Sequence, residues 1–412
     1  MEMKRKAEPN PIARSRPQIG HRSGFWIVAL VFLAVMAYST IPTPLYPLYQ
    51  QRDDFPAFTI TVIFAAYALG VVVSLFLAGH LSDSLGRRRI LLLAVLLSVI
   101  ASVMFLVWQD VPGLITARVV DGASVGIITA TATAHLTELR AIARPRESPV
   151  LAASVAGAAN LGGLSLGPLV GGVFADFLPM PLMLPHFVFL LLFLGAALVV
   201  LVVPETVFVD GRRRPYRPQR VSIPRGSGGA FAIAAFGAFS AFAVLGLFTS
   251  LAPTFLVVSF DATDHLLAGI TTFSVFAAAA AGQIALAALP VRVQVTLAMG
   301  ACLIGLGLVA GGALGASLPV FIGGGVISGL GVGLLFKSAV TTAISLAPAG
   351  RKGETLALIF LIAYAGLAVP ALLVGLALSF VPPTPVLLVF VAIVVAATVT
   401  AGGLMRARET GD

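Results

Sequence analysis

Long apolar runs separated by short polar segments dominate the chain. They fall at Phe25–Tyr49, Thr59–Leu81, Ile90–Trp108, Leu114–His135, Pro149–Phe174 and Leu182–Val203, then at Ala230–Val258, Leu266–Leu289, Val293–Gly312, Pro319–Thr342, Thr355–Phe380 and Val386–Leu404. Each holds about 20 residues, enough as a helix to cross about 30 Å of hydrocarbon. The pattern predicts an all-α integral membrane protein with twelve transmembrane helices. The stretch from Pro204 to Gly229 is rich in Arg, Pro, Gly and Ser and cannot be a span. It divides the runs six and six: a basic segment 1–23, a first half 24–203, a linker 204–229, a second half 230–405 and a tail 406–412.

Composition agrees. A mean hydropathy of +1.03 with 58% hydrophobic and 10% charged residues lies outside the range of soluble domains. The net charge of +9 raises the question of a nucleic-acid partner, but the placement of the 26 Lys and Arg residues answers it. Twenty-three of them lie in the termini and in alternate loops, on one side of a twelve-span arrangement. Arg52 alone lies on the other side, and Arg118 and Lys337 lie within spans. By the positive-inside rule the basic side is cytoplasmic, so both termini are expected inside a cell membrane. No nucleic-acid partner is expected. The basic N-terminal segment lacks a separate short apolar stretch with a cleavage site, so no removable signal is expected. Cys302 is the only cysteine, so no internal disulfide is possible.

The two halves read as repeats. Ser39, Pro42, Thr43 and Leu45 recur as Ser250, Pro253, Thr254 and Leu256, 211 residues further on. Gly122, Val125 and Gly126 recur as Gly329, Val332 and Gly333 at a spacing of 207. Near-constant spacing across several helices points to duplication, which builds many transporters around a site between the repeats.

The loop between the second and third runs reads Gly79-His-Leu-Ser-Asp83-Ser-Leu-Gly86-Arg87-Arg88-Arg89. This Gly-x-Leu-x-Asp-x-x-Gly-Arg-Arg-Arg pattern resembles the signature loop of the major facilitator superfamily of secondary transporters. The resemblance implies that Asp83 reaches the start of the eleventh helix, where its charge favours the positive helix end. It also implies that Arg87, Arg88 and Arg89 tie the loop to neighbouring helix ends. Such contacts form in one access state and break in the other, making the loop a conformational latch. Gly79 and Gly86 allow the close packing and sharp turn. The bland alternative is that the arginines only set topology.

Within the fourth run, Arg118 and Asp121 stand three apart and so share a helix face. Ionisable residues inside a span are costly and mark functional sites by default. The stretch resembles the superfamily's fourth-helix Arg-Gln-Gly motif, with Asp121 in place of the usual Gln. Asp121 is therefore either a proton carrier or the static partner that lets Arg118 be inserted. The fifth run carries Gly163-x-x-x-Gly167-Pro168-x-x-Gly171-Gly172, similar to the motif of the superfamily's exporters, especially drug:proton antiporters. Generic small-residue packing is the alternative. Lys337 either faces a cavity or snorkels to the cytoplasmic surface. The resemblance implies that the first, fourth, seventh and tenth helices line that cavity, with Thr40, Thr43, Ser250 and Thr254 as polar candidates. The acid that many antiporters place in the first helix is missing here.

Of five histidines, His21, His80, His186 and His265 fall at loops or span ends and His135 at the end of the fourth run, with no metal-site spacing. The 27 phenylalanines read as lipid-facing or core. No phosphate-binding glycine loop with a following Lys is present. The expectation is a secondary transporter rather than an enzyme, without cofactor or metal, monomeric in the bilayer. It would export a small organic compound against protons by alternating access. Uptake or exchange of an organic anion or sugar is the alternative, and a transport-dead membrane sensor a third.

Overall fold

The computed structural model describes residues 19–78, 81–207, 227–286, 288–348 and 351–408. Gly79, His80 and most of the basic linker lie outside the described residues. Among the described residues, twelve long helices make up the bundle. In chain order the first six are α1 (His21–Thr40), α2 (Ala57–Ala78), α3 (Arg87–Val107), α4 (Val111–Ala143), α5 (Val150–Phe177) and α6 (Leu184–Val200). The other six are α7 (Gly228–Ser250), α8 (His265–Ala285), α9 (Val291–Leu314), α10 (Leu318–Ser345), α11 (Lys352–Ala377) and α12 (Pro383–Arg408). All but α6 meet the usual length for a span; α6 has 17 residues, about 26 Å at 1.5 Å per residue.

Helix ends follow local chemistry. Asp110 caps α4 by accepting the Gly113 amide at 2.9 Å, with Pro112 in the first turn. The first and seventh spans are interrupted at matching places. Helix α1 stops at Thr40, and Pro42 and Pro44 divert the chain through a 3₁₀ turn at Thr43–Leu45 into a short helix, Tyr46–Asp53. Helix α7 stops at Ser250, and a short helix with Pro253 in its first turn continues over Ala252–Phe260.

Within the first half, α4 packs on α2 and α3, α5 on α1, and α3 on α6; within the second, α10 packs on α8 and α9, and α11 on α7. Between the halves two seams carry the contact, α2 against α11 and α5 against α8. Glycines let these helices meet backbone to backbone. A Cβ on Gly122 would strike the Tyr67 carbonyl of α2, and one on Gly329 the Val275 carbonyl of α8. The duplicated glycines thus do the same work in both halves. Arg87 to Arg89, Arg140, Arg144, Arg146, Arg351, Lys352 and Arg406 all mark one end of the bundle, called the basic face below.

Candidate functional site

A cavity of about 150 Å³ lies between the halves near the middle of the bundle. Its walls come from α1, α4, α7 and α10, as the sequence resemblance implied, and equally from α2, α5, α8 and α11. The lining extends toward the basic face through Leu75, Gly157, Gln283 and Phe360.

Arg118 is the one charged side chain among the described lining residues. It is 1% exposed and held from three sides. Its Nη1 donates to Asp121 Oδ2 at 2.9 Å and to the Ser39 carbonyl at 2.7 Å, and its guanidinium lies over the Tyr67 ring, 4.5 Å from the centroid. The Ser39 carbonyl is available because α1 ends one residue later, so the break in the first helix supplies an acceptor for the buried cation. Asp121 sits behind Arg118 with 0% exposure and does not itself line the cavity. Among the described residues Arg118 Nε and Asp121 Oδ1 have no hydrogen-bond partner. A buried pair with one unsatisfied donor and one unsatisfied acceptor is held together but incompletely hydrogen-bonded.

The other polar candidates divide. Thr40 lines the cavity and donates to the Leu164 carbonyl at 3.0 Å. Leu164 lies four residues before Pro168, whose missing N–H would have served that carbonyl. The threonine of α1 therefore completes the backbone of the proline-interrupted α5. Thr43 is buried in the 3₁₀ turn away from the cavity. Ser250 is buried and bonds the Gly246 carbonyl of its own helix, and Thr249 takes its place in the wall. Thr254 lines a separate recess at the end opposite the basic face. Lys337 is absent from the lining; its Nζ donates to the Gln283 carbonyl at 3.0 Å, in the last turn of α8, where a cation suits the negative helix end.

The glycines of α5 form a contact strip. Gly163, Gly167 and Gly171 face the backbone of α1 at Leu33, Ala37 and Ile41, while Gly172 faces His265 and Leu266 of α8. Gly269 of α8 meets the Pro168 carbonyl in turn. Just beyond, Asp176 at the end of α5 accepts from the Leu266 amide at 2.7 Å, the His265 amide at 3.3 Å and His265 Nδ1 at 2.8 Å. A carboxylate of one half thereby caps a helix start of the other. At the second seam Gly375 of α11 abuts Thr61 of α2. The contacts between the halves, at Gly172, Gly269, Asp176 and Gly375, lie toward the end opposite the basic face, so the cavity sits on the basic side of a closed seal.

At the basic face the loop residues engage their own half. Asp83 pairs with Arg87 at 2.6 Å and is two-thirds exposed. Arg87 also pairs with Glu138 of α4 at 2.8 Å, and Arg88 Nη1 reaches the Leu201 and Val203 carbonyls past the end of α6 at 3.3 and 3.4 Å. Arg89 is exposed. Glu205 accepts from the Arg87 and Arg88 amides at 2.8 and 3.1 Å, capping α3. Gly86 has φ +100°, and a Cβ there would meet Glu205 Oε2 at 2.5 Å, so both the turn and the cap require glycine. Among the described residues no ion pair or hydrogen bond joins Asp83 to α11.

Several site residues escape a reading of the sequence. Glu138 and Glu205 are single acids in basic surroundings, and only the fold brings them to Arg87. His186, placed by sequence at a span end, is the third residue of α6 and fully buried. Its ring nitrogens meet the Tyr38 and Tyr49 hydroxyls at 3.0 and 3.2 Å, and its ring stacks on Phe105 with centroids 4.5 Å apart. His135 does not end α4, which runs on to Ala143; it is buried against the Pro204 carbonyl at 3.0 Å. Five phenylalanines line the cavity: Phe64 and Phe276 belong to the core as well, while Phe242, Phe336 and Phe360 are half-buried at its wall. Their exposure to a central space has no signature in hydropathy.

Comparison with known proteins agrees with this architecture. The family model of the Major Facilitator Superfamily matches residues 27–369. The arabinose-proton symporter of Bacillus subtilis (strain 168) is 35% identical over 77 residues, 19% of this chain and 17% of the symporter. The quinolone resistance protein NorA of Staphylococcus aureus is 24% identical over 152 residues, 37% of either chain. The matched stretches thus span well under half of these relatives. Among solved structures, a point mutant of the nucleoside transporter NupG superposes with a TM-score of 0.71 over 94% of this chain and 99% of that one, at 11% identity. At that identity the likeness concerns the fold alone. Duplicated helical halves around a central cavity, with the family match across most of the length, describe a multi-pass membrane transporter rather than an enzyme, and the chain belongs to the Major Facilitator Superfamily.

Proposed function

We propose that this transporter exports a small organic compound in exchange for protons, with Asp121 carrying the proton and Arg118 coupling its charge state to the cavity. The observation that carries the reading is the buried Arg118–Asp121 pair at the cavity wall, each partner keeping one unsatisfied polar atom. With Asp121 ionised the pair is neutral and the cavity can load substrate. A proton on Asp121 leaves Arg118 bound to the Ser39 carbonyl with its charge uncompensated. That excess charge, at the break in α1, biases the outward-open transporter back toward the cytoplasm-facing state, so a proton taken up outside is released inside before the next substrate loads. The basic face is cytoplasmic in this reading, by the positive-inside rule, and both termini lie inside. The cavity described above is then the cytoplasm-facing one, sealed outward by the α5–α8 and α2–α11 contacts.

The signature loop fits the same cycle. With the outer seal closed, Asp83 is held by Arg87 within its own half. When the halves close at the cytoplasmic side, Asp83 engages the start of α11. Export rather than uptake is supported by the Gly163–Gly172 strip and by the partial match to a quinolone resistance protein.

The test is proton movement in everted membrane vesicles followed with a pH-sensitive dye. Lipophilic cations, sugars, organic anions and uncharged aromatic compounds are added in turn, to wild type and to Asp121→Asn. Substrate-dependent proton release that is lost in Asp121→Asn is expected. Solute movement without a proton signal, equal in the two proteins, would overturn the assignment of Asp121.

A further inference from the structure

The charge and shape of the cavity wall narrow the substrate class. The second half contributes a connected group of rings: Phe242 against Phe336 at 4.8 Å, Phe242 against Tyr364 at 5.5 Å and Phe336 against Phe360 at 5.8 Å between centroids. Tyr67 of α2 faces Tyr364 across the interface at 6.4 Å. All five line the cavity. Aromatic side chains favour offset and edge-to-face partners, so such a group is a matched surface for a flat ring.

Polar groups are sparse and mostly committed. The hydroxyls of Ser39, Thr40, Thr129 and Thr249 donate to backbone carbonyls and offer the cavity only acceptors. Asn160 presents its amide with no hydrogen-bond partner among the described residues. Among the same residues no carboxylate lines the wall. Arg118 is neutralised by Asp121 and further occupied by Ser39, and Lys337 is turned onto the Gln283 backbone.

These observations weigh charge against rings. A cation would gain modestly from the ring faces, and burying it without a counter-charge costs more than the rings return. An anion would meet only a guanidinium already paired. An uncharged aromatic compound meets neither cost. From this balance we infer that the substrate is an uncharged aromatic compound, its ring held by Phe242, Phe336, Phe360 and Tyr364 and its polar group read by Asn160. The inference rests on the export reading only for direction; binding to the cavity stands apart from proton coupling.

The experiment compares three probes on one scaffold, naphthol, naphthyl-trimethylammonium and naphthalene sulfonate, by calorimetric titration of the full chain in lipid nanodiscs, with empty nanodiscs subtracted. Naphthol is expected to bind at least tenfold more tightly than either charged probe. Phe336→Leu and Phe360→Ala, each checked for an unchanged unfolding profile, are expected to weaken naphthol about tenfold, the worth of a lost ring contact. Phe187→Ala, on the exposed face of α6, is expected to leave it unchanged. Tighter binding of either charged probe overturns the inference, as does wild-type affinity in both well-folded cavity variants. Binding of naphthol that persists in Asp121→Asn while proton release fails separates the two proposals. If naphthol binds yet no proton moves in the wild type, the coupling reading falls and the substrate class stands.

Discussion

Removing the Asp176 carboxylate should release the seal between α5 and α8. Three donors converge on it from the other half, two of them backbone amides at the start of α8. Hydrogen bonds to a charged group contribute about 1.5–3 kcal/mol when buried, and a favourable helix end adds about 0.3–1 kcal/mol at a surface. The side chains of His265 and Asp176 are 18% and 21% exposed, so solvent takes part of this back, and about 1–2 kcal/mol remains. Because the contact exists only with this end closed, its loss shifts the closed–open balance by a factor of about 5–30. The assay is labelling of Ala268→Cys, a buried position on α8, by a membrane-impermeant maleimide added at that end. Labelling should run about 5–30-fold faster in Asp176→Ala. The native Cys302, fully buried, reports unfolding if it reacts as well. Equal rates, with Cys302 silent in both proteins, would refute the view that this carboxylate holds the seal.

Three further outcomes follow from named contacts. Thr40→Val strands the Leu164 carbonyl and should cost about 1 kcal/mol of stability, measured as a lower unfolding midpoint. In a Pro168→Ala background, where an amide again serves that carbonyl, the same change should cost distinctly less, so a double-mutant cycle isolates the link. Gly86→Ala must place a Cβ at positive φ and against Glu205, and should destabilise by about 1–3 kcal/mol; Glu205→Gln, which keeps the turn, should cost less in the same thermal assay. Lys337→Met should leave substrate binding unchanged while lowering stability by about 0.5 kcal/mol through the end of α8, a split that a cavity role for the lysine would reverse.

The helices were readable because apolar length alone decides spanning, and the basic loops because their charges gather at one end of the bundle. Arg118 and Asp121 stood out because an ionisable pair inside a span is expensive. What sequence could not supply was direction around each helix. Ser250 and Thr249 are adjacent and each bonds its own turn, yet only Thr249 lines the cavity. Phe336 and Phe187 are equally apolar, yet one faces the cavity and the other the outside of the bundle. Glu205 lies more than a hundred residues from Arg87, so its capping of α3 depends on where α6 ends. His186 looked terminal because it opens a helix, but two tyrosines of the first span fold over it.

The strip on which Gly172 meets Leu266 and Gly269 meets Pro168 also bears on ion leakage. Main chain against main chain leaves no side-chain fringe through which a file of water could thread. A protein that passes solutes through its centre must never become a wire for protons, and a backbone-thick gasket at one end insulates the membrane while the cavity lies toward the other.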